Sequence, residues 1–239
     1  MSENPDVKPT IVLVHGAYAD ASSWNGVIER LQQQGYTVIA AANPLRGVTS
    51  DSAYIASLLG QIDGPVLLAG HSYAATSAPN VAGLVFIAAF APDEGETLGE
   101  VENGSKDCVL GTALVQYLSG RAGRADGGGV RDQPRADPGG LRRRPAPETT
   151  ALMAATQRPA AAAAFTDVSG PPAWKKLPSW AVVATGDKAA GTDVVRAQAQ
   201  RAGADIIEVE GSHVIMISQP QVVTDHILKA ARAIAASPR

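Results

Sequence analysis

Short apolar runs alternate with amphipathic stretches along most of this 239-residue chain. Ile11-Val12-Leu13-Val14 reads as a strand buried on both faces, because no polar residue interrupts it and three of its four residues are β-branched. From Asp20 to Gly35 the period changes. Trp24, Val27, Ile28 and Leu31 fall at i, i+3, i+4 and i+7, the stripe of a helix packed by one face. Asp20 can cap that helix and Gly35 can end it. The alternation continues with a strand over Thr37–Ala41, a helix opened by Ser50 and running to Leu59, and strands at Pro65–Ala69 and Leu84–Ala88. Further on come a strand from Ser179 toward Asp187, a helix over Asp193–Ala202 opened by Thr192, and a strand from Ile206 toward His213. The last helix opens at Ser218-Gln219-Pro220-Gln221, a capping-box pattern with proline in the first turn, and shows Val223, Ile227, Ala230 and Ile234 on one face. Strands separated by single helices predict an α/β fold: a mostly parallel sheet, helices on both faces, and ligands at the C-terminal strand ends.

Several of those strand ends carry chemistry. The run Val66–Ala69 stops at Gly70-His71-Ser72-Tyr73-Ala74, a Gly-x-Ser-x-small turn tight enough to hold Ser72 in a strained conformation with its hydroxyl exposed. Two later strands deliver a carboxylate, Asp187, and an imidazole, His213. A serine hydroxyl needs a base to take its proton, and that base needs a carboxylate to fix its tautomer, so Ser72, His213 and Asp187 form a candidate nucleophile, base and orienting group. Asp193 competes with Asp187 on spacing, but it falls in the first turn of the helix that Thr192 opens, where an acidic side chain suits the helix dipole. His15-Gly16-Ala17 ends the first strand in a turn whose N–H groups can face a site.

Taken together, HGAYADASSW (His15–Trp24), GHSYA (Gly70–Ala74), FIAAFAPDEGE (Phe86–Glu96) and GSHVIMISQP (Gly211–Pro220) resemble small bacterial α/β-hydrolases of the esterase-like group, related to plant methylesterases and hydroxynitrile lyases. The resemblance covers about residues 9–107 and 148–235. It implies an α/β-hydrolase fold as one domain over 1–239, with a small cap inserted at 93–176, no cofactor and no metal. It also implies a serine hydrolase that cleaves a small-molecule carboxylic ester through an acyl-Ser72 intermediate, with the Ala17 and Tyr73 N–H groups as the oxyanion hole. His71, Tyr18, Trp174 and Met216 are the candidate pocket residues. Val214 follows the candidate base where hydroxynitrile lyases of this group carry lysine, and Ser72 stands where a dehalogenase needs a carboxylate.

Two stretches depart from the pattern. Only Tyr73–Ala82 connect the Ser72 turn to the next strand, and Pro79 limits any helix there to about six residues, ~9 Å against ~17 Å for a five-residue strand. Ala74 also replaces the second glycine of the turn. An alternative reading follows: a non-catalytic ligand-binding relative with a distorted elbow. Gly120–Pro147 holds seven arginines, seven glycines and four prolines with no aromatic residue. That composition cannot offset its ordering entropy, so 120–147 is expected to be disordered. Beyond it, Pro147–Met153 reads as a cap helix.

Composition narrows the classes that remain. A net charge of −3 predicts no attraction to nucleic acid or anionic membrane, despite the local arginines. No apolar run approaches the ~18 residues of a membrane span. A polar, acidic start lacks a secretory h-region, and a single cysteine, Cys108, suits a reducing compartment; both predict a cytoplasmic protein.

Overall fold

The computed structural model describes residues 7–73, 78–109, 114–117, 129–132 and 145–236, with 114–117 and 129–132 as backbone. In chain order its elements begin with β1 (Thr10–Val14), α1 (Asn25–Gln33), β2 (Val38–Ala41), α2 (Val48–Leu59), β3 (Val66–His71), β4 (Val81–Ile87) and α3 (Leu98–Asn103). Then follow β5 (Leu114–Tyr117), β6 (Gly129–Asp132), α4 (Pro147–Thr156), β7 (Ala160–Ala161) and α5 (Ala163–Thr166). The chain finishes with β8 (Ser179–Ala184), α6 (Thr192–Arg201), β9 (Asp205–Val209), α7 (Ile215–Ser218) and α8 (Pro220–Ala235).

Among the described residues six strands form one parallel sheet in the order β2-β1-β3-β4-β8-β9. Side chains alternate between its faces, as a period of two requires. Val12, Val14, Leu68, Leu84, Phe86, Ala181 and Val183 pack on one side with Ile55 and Leu59 of α2 and Val195 and Ala199 of α6. Ile11, Leu13, Leu67, Ala69, Val85, Ile87 and Val182 pack on the other with Val27 and Leu31 of α1 and Val223, Ile227 and Ala230 of α8. The predicted helix-on-both-faces architecture is therefore present.

The strand order positions the site. Val14 pairs with Gly70 and Ala184 with Val209, so the loops leaving β1 and β3 emerge side by side, as do those leaving β8 and β9. Gly35 ends the first helix at φ 71°, as expected. Asp20 Oδ1 accepts from Ser22 N at 2.7 Å and caps a 3-10 turn, Ala21–Trp24, that leads into α1.

Several boundaries differ from expectation for local reasons. α2 starts at Val48, not Ser50, because the Asp51 carboxylate reaches back to accept from Arg46 N and Gly47 N. Thr192 is the first residue inside α6 rather than its cap; its hydroxyl donates to Ala184 O and accepts from Asp187 N. The expected capping box at Ser218 does not form. Ser218 closes α7, and Gln219 stands at the α8 N-cap without capping it by its side chain, whose Nε2 donates to Glu210 O instead.

β4 begins at Val81, earlier than expected, and Ala88 leaves it at φ 44°. Among the described residues no helix joins β3 to β4; residues 74–77 of the expected short crossover lie outside them. Asn80 Nδ2 ties the end of that crossover to Leu59 O and Ile62 O at 2.7 and 3.0 Å. Of the 120–147 stretch expected to be disordered, 129–132 pairs antiparallel with β5 and with β7, Pro145 and Ala146 lead into α4, and the rest lies outside the described residues.

Candidate active site

Ser72 leaves β3 with φ 55°, in the left-handed region that a non-glycine residue occupies only under constraint. The constraints are visible. Phe90 N donates to Ser72 O at 3.1 Å. On the opposite side sits Gly16, where a Cβ would lie 2.6 Å from Ser72 Cβ and 2.9 Å from His71 O. Only glycine lets the β1 loop approach the turn this closely. Gly16→Ala is expected to cost about 1–3 kcal/mol through overpacking against backbone. Thermal denaturation should show a drop in Tm of about 3–10 °C for a chain of this size; an unchanged Tm would mean that the two loops can part.

A buried network ties the same loops together. His15 and Asn43 are both buried, at 0% and 2% exposure. Asn43 N donates to His15 Nε2 at 2.9 Å, so that nitrogen is the acceptor and Nδ1 carries the proton it gives to Gly16 O. Burial pushes the His15 imidazole below its ordinary pKa, as this neutral tautomer requires. Asn43 Nδ2 bridges His15 O and Tyr73 O at 3.1 and 3.3 Å. Tyr73 in turn donates its hydroxyl to Asp51 Oδ2 at 2.9 Å, and burial next to that carboxylate pushes the phenol pKa up. Asn43 and Asp51 thus brace the two turns that bear Ala17 and Tyr73. Neither the Ala17 N–H nor the Tyr73 N–H donates to another group among the described residues.

His213 and Asp187 meet as their paired strands suggest. His213 Nδ1 donates to Asp187 Oδ2 at 2.7 Å, and Ala189 N and Ala190 N both donate to Asp187 Oδ1 at 2.9 Å. Asp187 is 1% exposed. Burial alone would raise its pKa, but the His213 charge and hydrogen bond, with the two backbone donors, hold the carboxyl below the usual range. Asp193 points elsewhere, accepting from Ser105 Oγ and Lys106 N. His71 lies behind the base: its Nε2 donates to His213 O at 3.0 Å, and the two rings are 4.5 Å apart. Burial, then the neighbouring His213, pushes the His71 pKa down to about 3. His71 is a neutral prop.

Ser72, His213, His71, Tyr73, Ala17 and Tyr18 line one cavity of about 120 Å³. Leu98 and Glu102 of α3, Met153 of α4, Gln157 just after α4, and Phe165 of α5 also line it. Two of the candidate pocket residues are not part of it. Met216 is 1% exposed in the core on the α1/α8 face, because α7 turns it inward. Trp174 lines a separate cavity of about 400 Å³ between α2 and the 168–174 loop, its Nε1 donating to Pro92 O. Phe90 is a wall of both cavities. Among the described residues no cluster of three or more His, Cys, Asp or Glu could hold a metal ion.

A serine on a strained turn at a parallel strand's end, with a His–carboxylate pair across a small cavity, is the arrangement of the α/β-hydrolase class. The sequence profile of the alpha/beta hydrolase family matches residues 11–226, and the chain belongs to that family. No curated protein matches it significantly. Among solved structures it is similar to polyneuridine aldehyde esterase, at 19% identity, TM-score 0.77, covering 94% of this chain and 100% of that one. It is also similar to a methylesterase from Arabidopsis (17% identity, TM-score 0.71, 94% and 99% covered). A pyrethroid hydrolase from Sphingobium faniae gives 17% identity and TM-score 0.71, with 96% and 99% covered.

Proposed function

We propose that this protein is a serine esterase acting on small carboxylic esters, with one domain over 1–239 and a cap at 93–176. The observation that carries the reading is the 2.7 Å His213–Asp187 hydrogen bond, set on the same cavity as the strained Ser72. Asp187 holds Nδ1–H, which leaves Nε2 as the basic nitrogen toward the cavity. His213 Nε2 takes the Ser72 proton as Oγ attacks the ester carbonyl. The Ala17 and Tyr73 N–H groups receive the oxyanion, each such donor being worth roughly 3 kcal/mol in the transition state. His213 then gives its proton to the departing alkoxide. Water repeats the sequence on the acyl-Ser72, releasing acid and free enzyme.

The esterase and methylesterase likenesses support ester chemistry over other reactions of the fold. The composition, with one cysteine and a net charge of −3, favours a cytoplasmic enzyme. No helix among the described residues is long and apolar enough to cross a membrane. The left-handed φ of Ser72 argues against the distorted-elbow alternative, in which a relaxed turn would bind ligands without turning them over.

A fluorophosphonate probe should label the protein stoichiometrically, with the adduct mapped to Ser72, and p-nitrophenyl acetate should give a burst of p-nitrophenol. Absence of both would overturn the esterase reading and leave the non-catalytic one.

A further inference from the structure

The cavity that holds Ser72 and His213 also holds a carboxylate, Glu102, that no cation among the described residues neutralises. Leu98 and Glu102 are one helical turn apart on α3, so they share a face, and both line the cavity. That face is fixed. A Thr97–Glu100 capping box sets the start of α3, and Gly99 presses against Phe165 O of α5, where a Cβ would come to 3.1 Å. The Glu102 carboxylate makes no ion pair or hydrogen bond among the described residues. No lysine or arginine lines the cavity among them. His213 stands on the same cavity with Asp187 behind it, and the neutral His71, Tyr18 and Tyr73 line it as well. Gln157 Oε1, buried on the same wall, has no hydrogen-bond partner among the described residues. Among the described residues the α3 side of the cavity, away from the Ala17 and Tyr73 N–H groups, thus offers two acceptors without a partner.

Resting on the esterase reading, we propose that Glu102 makes the pocket selective for esters carrying a cationic group, and against those carrying an anion. An ammonium near Glu102 replaces the water the carboxylate loses on burial, whereas an anionic substrate meets a like charge beside an already acidic Asp187. Burial lifts the Glu102 pKa to about 7, so the carboxylate is charged in mildly alkaline solution.

The test uses two thioesters of one shape, acetylthiocholine and 3,3-dimethylbutyl thioacetate, which differ in charge alone, assayed at pH 8.5. The wild-type kcat/KM should be about tenfold higher for the cation, as expected for a charge pair at close range with solvent nearby. The ratio should fall to about one in Glu102→Gln and stay near the wild-type value in Glu102→Asp, because the ratio within each variant cancels any general loss. A ratio near one in the wild type, or one that survives Glu102→Gln, overturns the proposal. If neither thioester is turned over and no probe labels Ser72, the esterase reading fails by itself. Selectivity is then read from binding: choline should raise the Tm more than 3,3-dimethylbutan-1-ol, and equal shifts or a difference kept in Glu102→Gln would end the inference.

Discussion

Ser72→Ala should lower kcat/KM for p-nitrophenyl acetate by about 10⁴–10⁶-fold while leaving the fold intact, because the nucleophile and its base act as one unit. Alanine keeps a Cβ at φ 55°, so the strain of the turn is unchanged and Tm should move little. His213→Ala should cost about as much. The double variant Ser72→Ala/His213→Ala should be no slower than either single one, since a base without a nucleophile has nothing to deprotonate. What activity remains would come from the oxyanion donors and from binding, which do not pass through Ser72. Steady-state rates with all three proteins settle this. Single variants retaining more than a few per cent of wild-type activity, or additive losses in the double variant, would show that the chemistry runs elsewhere.

The parts of this site that could be read in the sequence are those with a one-dimensional signature. Buried parallel strands are continuous apolar runs, and their ends locate Ser72, Asp187 and His213 without any knowledge of pairing. Asp187 was separable from Asp193 because a helix start accounts for one of them, although Thr192 serves that region from inside α6. The bracing network was not legible. Asn43 and Asp51 look like an ordinary loop residue and a helix-start carboxylate, and their partners Tyr73 and His15 are fixed only once β1, β2 and β3 are adjacent. The same holds for Gly16: its need for glycine arises from a 2.6 Å approach to a residue 56 positions away in sequence, not from its own φ. Met216 and Trp174 lie away from the Ser72 cavity, because proximity in sequence to the base or to the cap does not say which way a short helix or a loop turns its side chain. Glu102 carried no signal at all. It follows a capping box on a short polar helix, and becomes a pocket residue only through the packing of α3 on α5.

The buried histidines should destabilise the protein as pH falls below 6.5, in opposition to the buried carboxylate of Glu102. His71 sits at about 3 in the folded state against an ordinary value of 6.5, and burial also lowers His15 and His226. For such a group the unfolded chain binds the extra proton. Stability is therefore fully present above pH 6.5 and is lost as pH falls below it, until the folded-state pKa is reached. His71 alone should cost on the order of 1 kcal/mol for each pH unit below 6.5. His15 and His226 add to the slope in the same direction. Glu102 has the opposite sign. Its folded pKa, about 7, lies above the ordinary 4.5, so between those values the folded state holds one proton more and gains stability on acidification. The two effects are separable by urea titration at fixed pH steps from 8 to 5. His71→Gln, which keeps an N–H for His213 O, should flatten the acid slope by close to one proton. Glu102→Gln should steepen it by up to one proton and be more stable than wild type at pH 8, by about 1–3 kcal/mol. Because Glu102 offsets His71 over this range, the deciding comparison is made in the Glu102→Gln background: an acid slope there unaffected by His71→Gln would mean that the imidazole beneath His213 takes up its proton without disturbing the fold. The acid stability and the substrate preference would then come from different residues. If both variants behave as expected, one short helix sets the pocket's charge while depressing stability at neutral pH, the usual cost of an unpaired carboxylate held for binding.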